Sequence, residues 1–138
     1  MPSKFNERAI AEFRATGGRV GGELAGTPII LIHDIGAKTR TERVTPVAYT
    51  SLPDGRLVIA ASNGGSPTHP AWYHNLKAQP TITVELGSET RTALAEETTA
   101  AAHAALWPTL VAESPALGEF QAKTARRIPL FTLTIRQP

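Results

Sequence analysis

Two stretches of the chain combine residue types that bind small molecules. Residues 62–80, SNGGSPTHPAWYHNLKAQP, hold two glycines, three prolines, two histidines, a tryptophan and a tyrosine. This crowding is unusual for a loop that only joins a strand to a helix. Tryptophan stacks on aromatic rings, and glycine lets a backbone approach a ring closely. The stretch therefore predicts a binding floor for a flat heteroaromatic ring.

On a helix that starts at Pro70, Trp72, Asn75 and Leu76 share one face by their spacing of three and four. In one interpretation Trp72 stacks on the ring and Asn75 hydrogen-bonds polar atoms at the ring's edge. In the other, Trp72 and Leu76 are core residues, and Asn75 pairs with a nearby backbone group. The sequence leaves both open.

The second stretch, residues 36–43 (GAKTRTER), carries three cations, Lys38, Arg40 and Arg43. A turn of this kind presents backbone N–H groups, and with the cations it could hold a phosphate from several directions. The alternative is a solvated hairpin loop with three surface charges. No Walker pattern and no G-x-G-x-x-G opening a helix accompanies it. A later basic set could dock phosphate or anionic lipid, or form a solvated turn: Lys123, Arg126 and Arg127.

Composition excludes several kinds of function. The absence of cysteine rules out disulfides, zinc–thiolate sites, iron–sulfur clusters and thiol nucleophiles, and it fits a reducing cytoplasm. Fourteen basic against twelve acidic side chains are too balanced for a nucleic-acid binder. The four histidines lack metal-ligand spacing, and no serine-nucleophile motif is present. The N-terminus has no uninterrupted apolar run, so we expect neither a signal peptide nor a membrane span.

The elements that must position these stretches follow from periodicity and turn signals. Residues 1–27 are predicted to form a helix over 4–15, capped by Ser3 and stopped by Gly17-Gly18, and then a glycine-rich lead-in. Strands are predicted at 28–33, 43–49 and 56–62, with a Pro53-Asp54-Gly55 turn making a hairpin of the last two. A helix over 70–78 follows, with Pro70 as its first residue.

The rest of the chain continues this pattern. A second hairpin is predicted from strands 81–86 and 89–95 around Gly87-Ser88. Thr98 or Thr99 caps a helix that Pro108 either kinks or divides, a short helix covers 117–124, and a strand covers 128–135. Six short strands with inserted helices predict a small antiparallel barrel in residues 28–138, and the chain forms a single domain.

The run VIAASNGGSPTHPAWYHNLKAQPTITVELG, residues 58–87, resembles the signature of the deazaflavin-dependent nitroreductase family. The similarity extends to EFRATGGRVGG near the N-terminus, RVTPV at 43–47, LWP at 106–108 and the segment from QAKT at 121–124 to IPLF at 128–131. These are small actinobacterial proteins that use coenzyme F420. The resemblance implies a split antiparallel β-barrel of FMN-binding-like type. It also implies hydride transfer from the reduced deazaflavin to a quinone, a conjugated enone or lactone, or a nitroaromatic.

The resemblance also implies roles for individual residues. Lys38 and Arg43, with Thr39 between them, match residues that hold the cofactor's phosphate and tail. Positions expected to line the deazaflavin are Pro46, Ala60, Ser62, Asn63, Gly64, Trp72 and Asn75. Ser62 or water is expected to take part in protonating the acceptor.

Two segments depart from the family pattern. The usual Gly-Arg-Lys-Ser-Gly loop reads GAKTR here, at 36–40. Tyrosines of the nitro-reducing members correspond to Ser114, Leu117 and Phe120, so this substrate wall is expected to be more apolar and to lack a phenolic proton donor. The missing phenols keep a second hypothesis open, a non-catalytic protein of the same fold that binds deazaflavin, FMN or haem. We expect a monomer or a homodimer, with a weak case for membrane contact through residues 4–15.

Overall fold

A computed structural model describes residues 4–22 and 26–136. The helices are α1 (Lys4–Thr16), α2 (Ala71–Ala78), α3 (Ala100–Glu113) and α4 (Pro115–Ala122). The strands are β1 (Ile29–Ile35), β2 (Glu42–Ala48), β3 (Thr50–Ser51), β4 (Leu57–Ala60), β5 (Thr81–Leu86), β6 (Glu89–Glu97) and β7 (Leu130–Ile135). The predicted cap Ser3 and part of the glycine-rich lead-in, residues 23–25, lie outside the described residues.

The strands form one antiparallel sheet in the order β2-β1-β5-β6-β7-β4-β3. The sheet curls until β2 approaches β4, but no ladder of hydrogen bonds joins these two strands within the described residues. The result is a half-barrel with an open seam and four helices around it. The predicted class, mainly β with inserted helices in a split antiparallel barrel, is confirmed.

Alternation along the strands decides which side chains reach the barrel interior. In β5, Ile82 and Val84 are buried. They join Ile30 and Ile32 of β1 in the main core cluster. Every residue from Ile29 to Ile32 is buried, because α1 covers the opposite face of β1 with Phe13. Strand β1 is thus the buried centre of this side of the barrel.

Helix α1 begins and ends where the sequence predicts. Gly17 and Gly18 have φ angles of +72° and +112°, and the Gly18 N–H bonds the Phe13 carbonyl to close the helix. The helix packs on the sheet through Ala9 and Phe13, which are buried, whereas Phe5 is 49% exposed.

Two local predictions need correction. Residues 43–49 are not a strand of the hairpin around Pro53-Asp54-Gly55, in which β3 pairs with β4. Strand β2 pairs with β1 instead, and a hydrogen bond from Tyr49 N–H to the Pro28 carbonyl extends that pairing. Pro70 is extended and caps α2 rather than starting it. Pro108 does not divide α3, which was one of the two alternatives: the helix runs on to Glu113, because the burial of Leu110 after the proline outweighs one missing hydrogen bond.

Other predicted boundaries are confirmed. Strands β5 and β6 pair in register from Thr81–Leu94 to Leu86–Glu89, around Gly87 at φ +60°. Thr99 is the cap of α3, and its hydroxyl accepts a hydrogen bond from Ala102 N–H at 3.2 Å. Among the helices within 4–22 and 26–136, none is both long and apolar enough to cross a membrane.

Gly65 and Gly55 form a matched pair for testing how tightly the loop after β4 packs. Both have positive φ, +84° and +93°. A Cβ on Gly65 would lie 2.8 Å from the Phe120 carbonyl oxygen, whereas one on Gly55 would meet nothing within 4 Å. Gly55→Ala should cost about 1 kcal/mol through backbone strain alone, and Gly65→Ala about 2–4 kcal/mol because a clash adds to the strain. Urea unfolding measures both. Equal losses would show that α4 does not pack on this loop.

Candidate functional site

A cavity of about 890 Å³ opens at the seam of the half-barrel. Its sides come from β2, from β4 with the loop that follows it, and from the α3–α4 junction. It contains most of the predicted deazaflavin-lining positions and the whole predicted wall: Pro46, Ala60, Ser62, Asn63, Gly64, Trp72, Ser114, Leu117 and Phe120. Residues far apart in sequence are thus brought together around one cavity.

Strand alternation explains why β4 contributes these residues. Leu57, Ile59 and Ala61 point into the barrel core. The intervening Val58, Ala60 and Ser62 face the seam and line the cavity. One strand thus serves both the core and the site.

The floor of the cavity is the loop over residues 61–66. Asn63, Gly64 and Gly65 have consecutive positive φ angles of 47°, 63° and 84°. This conformation exposes the backbone of Gly64 to the cavity, where a Cβ would meet nothing within 4 Å. The Asn63 side chain donates to the Thr68 carbonyl at 3.1 Å. The glycines predicted to let a ring approach are thus at the cavity surface or directly under it.

Arg126 holds this loop and was not assigned to the site from the sequence. Its guanidinium donates to the carbonyl oxygens of Ala61 (3.2 Å), Ser62 (2.9 Å) and Ser66 (3.0 Å). The sequence contained no signal for this role, because the acceptors are backbone atoms 60–65 positions away. Of the basic set 123–127, Arg126 is therefore committed to internal hydrogen bonds rather than to solvent.

His69 receives a fourth bond from the same guanidinium. Its Nδ1 accepts from Arg126 Nη1 at 3.0 Å, and its ring stacks on Tyr73 with centroids 4.1 Å apart. Burial lowers the pKa of His69, and the nearby charges of Arg126 and His74 lower it further. The imidazole is therefore neutral at pH 7, as an acceptor from arginine must be.

Trp72 and Asn75 have different roles. Trp72 lines the cavity and also belongs to the main core, where its ring centroid lies 6.0 Å from that of Phe131. Asn75 is not among the lining residues. Its Nδ2 donates to Asp34 at 2.6 Å, and its Oδ1 accepts from Ala37 N–H at 2.9 Å. The alternative interpretation of Asn75, in which it pairs with a backbone group, is the one that the geometry matches.

Asp34 is the centre of a buried polar network. It is 1% exposed, and its other carboxylate oxygen accepts from the Thr45 hydroxyl at 2.9 Å. Thr45 lines the cavity, and Ala37 begins the loop of predicted phosphate-binding cations. Asp34 and Asn75 together tie that loop to the cavity wall.

The predicted clamp residues Lys38, Thr39 and Arg43 are exposed and do not line the cavity itself. Arg43 lies on the face of β2 that also carries Thr45 and Val47, both lining residues, so it extends that face beyond the cavity. Within the described residues, neither Lys38 nor Arg43 has a carboxylate within ion-pair distance. Their role in holding an anionic tail stays a prediction.

The wall from α4 is apolar. Leu117 is buried and Phe120 half-buried, while Ser114 lies at the exposed end of α3. Sequence reasoning missed Tyr49, which follows β2 and lines the cavity from the other side. Nothing in its local pattern distinguished it from a barrel residue. A phenol is therefore present in the cavity, although not on the α4 wall.

His33, one of the four histidines of the chain, contacts two carboxylates. Its ring nitrogens lie 3.1 Å from Glu42 and 2.7 Å from Glu85, and Glu85 also pairs with Arg14 of α1. The Arg14 guanidinium holds the pKa of Glu85 below its ordinary value. Within residues 4–22 and 26–136, no group of three or more His, Cys, Asp or Glu side chains is placed to hold a metal ion.

The family model for F420H(2)-dependent quinone reductase matches residues 6–135. The chain belongs to this family. An F420H(2)-dependent quinone reductase of Mycobacterium tuberculosis (strain H37Rv) is 38% identical over 131 residues, which cover 91% of this chain and 87% of the relative. A second, putative quinone reductase of the same strain is 28% identical over 109 residues, 79% of this chain and 91% of the relative. The resemblance inferred from residues 58–87 is confirmed.

Solved structures agree with membership in the F420H(2)-dependent quinone reductase family. A structure of an F420-H2-dependent reductase, FDR-A, is 35% identical with a TM-score of 0.67, covering 78% of this chain and 94% of its own. Another structure, described as a domain-swapped dimer, is 30% identical with a TM-score of 0.69, covering 93% and 95%. The haem storage protein HutZ from Vibrio cholerae, at 13% identity and TM-score 0.57 over 94% and 89%, shares the fold alone.

Replacing Asn75 tests the buried network. Asn75→Ala leaves the Asp34 carboxylate without one donor and the Ala37 N–H without its acceptor. Each loss costs about 1–3 kcal/mol, so a total of about 2–6 kcal/mol is expected in urea unfolding. Lys77→Ala on the same helix, which removes an exposed ion pair with Glu97, should change stability by less than about 0.5 kcal/mol. Similar effects of the two substitutions would contradict the assignment.

Proposed function

We propose that this member of the F420H(2)-dependent quinone reductase family binds reduced F420 in the seam cavity and catalyses hydride transfer to an electron-poor acceptor of quinone type. The observation that carries the proposal is the convergence of the loop 61–66, Trp72 and the α4 wall on one cavity. The name of the 38% identical relative supports the choice of cofactor and acceptor class.

The residues present fit a flat tricyclic ring. The cavity of about 890 Å³ falls in the range of small-molecule sites. The glycine-containing floor offers an open backbone, and Trp72 offers an aromatic surface fixed by the core. Ser62 and Thr45 supply polar atoms among apolar lining residues. Few polar groups in a mainly apolar cleft are typical of cofactor sites.

The protein's contribution is orientation. When bound, the reduced deazaflavin supplies a hydride from its C5. The floor and the opposed wall of Leu117 and Phe120 hold donor and acceptor close and exclude water, and such positioning accounts for much of the catalysis in transfers of this kind. Two lining residues carry hydroxyl groups, Ser62 on the floor and Tyr49 beside β2, and a hydroxyl is a group that can hydrogen-bond an acceptor oxygen.

The clamp completes the proposed site. Lys38 and Arg43, with Thr39, are proposed to bind the phosphate and the acidic tail outside the cavity mouth. Two observations support this role: these residues are exposed, with no carboxylate partner for Lys38 or Arg43 among residues 4–22 and 26–136, and Arg43 lies on the Thr45 face of β2. The same cations can also bind the phosphate of FMN, so FMN serves as the competing ligand in the test below.

Binding and turnover separate the reductase from a storage protein. Titration of the purified protein into F420, followed by the cofactor's fluorescence, should give saturation at micromolar concentration, and excess FMN should not displace it. Reduced F420 should then be oxidised when menadione is added. Absence of F420 binding at tens of micromolar would contradict the cofactor assignment; binding without turnover of quinone, enone or nitroaromatic acceptors would favour a carrier.

Arg43→Ala should weaken F420 binding by about 1.5–3 kcal/mol, since a charge-assisted bond to the phosphate or tail is lost. The same fluorescence titration measures the change. Raising the salt concentration should reduce the difference in F420 affinity between the variant and the wild type. The control is Arg91→Ala, which removes a cation of β6 that pairs with Glu89 away from the cavity. An unchanged affinity in Arg43→Ala would remove this residue from the clamp.

A further inference from the structure

Arg126 lies at the junction of the two sides of the cavity without lining it. The residue follows α4, which carries the wall, and its guanidinium reaches three carbonyls of the floor, those of Ala61, Ser62 and Ser66. These carbonyls stand at the two ends of the loop. One planar guanidinium therefore bonds both ends of the floor.

The floor needs such a support because its own backbone supplies little. Residues 63–65 have three positive φ angles in succession, outside any strand pairing. Only two short turns form inside it, from Gly65 N–H to the Ser62 carbonyl and from Ser66 N–H to the Asn63 carbonyl. Asn63 is a non-glycine residue in the left-handed region, which is unfavourable without external contacts.

The same arginine is itself held from the wall side. Gln121 Nε2 donates to the Arg126 carbonyl at 2.7 Å, and Gln121 Oε1 accepts from Ile128 N–H at 3.0 Å. Gly65 packs so closely on the Phe120 carbonyl that it has no room for a Cβ. Floor and wall are therefore joined twice, through the hydrogen bonds of Arg126 and through the contact of Gly65 with Phe120.

We propose that Arg126 is a positioning residue of the cofactor site, which holds the backbone of Ser62–Gly64 in the conformation that accepts the ring. The proposal rests on the proposed function and adds to it a residue that contacts neither cofactor nor acceptor. A planar fork of donors is required to reach three carbonyls and an imidazole at once; a lysine ammonium cannot do this from the same place.

His69 gives the arrangement a pH dependence. Four titratable groups face or neighbour it, Arg126, His74, Tyr73 and Glu97. Protonation would replace the acceptor of Arg126 by a second cation. Because the folded state lowers the pKa of His69, the contact is complete above the ordinary histidine pKa of 6.5 and is lost as the pH falls towards the lowered value.

Hydrogen–deuterium exchange of the cofactor-free protein tests the proposal first. Arg126→Lys should speed exchange of the amides of residues 62–66, whereas the β5–β6 hairpin keeps its wild-type rate. Arg127→Lys is the matched control. The Arg127 side chain is adjacent in sequence, is exposed, and makes no hydrogen bond or ion pair within the described residues. Unchanged exchange at 62–66 in Arg126→Lys would overturn the proposal, whatever the ligand.

Cofactor titration is the second readout. Arg126→Lys should raise the Kd for F420 by about ten- to a hundredfold, and added guanidinium ion should restore part of the affinity to Arg126→Ala. In the wild type the affinity should fall as the pH is lowered below the ordinary histidine pKa of 6.5, and His69→Gln should flatten that profile. Wild-type affinity in both Arg126 variants would overturn the proposal. A loss of F420 affinity that guanidinium does not restore, and that merely parallels a loss of thermal stability, would also overturn it. Failure of the wild type to bind F420 would refute the proposed function, while the exchange result would still decide the role of Arg126 in the loop.

Discussion

The seam between β2 and β4 is the constraint on which the rest of the structure depends. The sheet ends with β2 at one edge and the two-residue β3 at the other, and β3 pairs only with Leu57 and Val58, so among the described residues the rest of β4 has no strand partner on the seam side. In this chain the gap is bordered by α3, α4 and the loop 61–66 instead of by a further strand. Each residue of β4 then faces either a packed core or the gap. The cavity is a direct consequence of incomplete closure.

Two buried networks keep the opposite sides of the seam in place. On the floor side, Arg126 ties the loop after β4 to the segment after α4. On the clamp side, Asp34 and Asn75 tie the start of the cationic loop to β2 and α2. Both networks use α2, through His69 just before it and Asn75 within it. The helix that carries Trp72 is thus a common support for the ring site and for the clamp loop.

The sequence predicts what depends on local pattern. The alternation of 81–86 and the Gly87 turn were enough for the β5–β6 hairpin, and the family resemblance was enough for the cofactor class. It fails where partners are distant. Arg126 was grouped with solvated cations because its acceptors are backbone carbonyls more than fifty positions away. The sequence left the role of Asn75 open between the ring and a backbone partner, since its partners Asp34 and Ala37 belong to another strand and loop.

A crystal structure with F420 bound is the most direct test of the account. It should show the deazaflavin ring in the seam, against the backbone of residues 62–64 and the side chain of Trp72, with the phosphate and tail directed towards Lys38 and Arg43. A ring bound elsewhere on the half-barrel, or a tail that leaves the seam on the side away from these two cations, would contradict it.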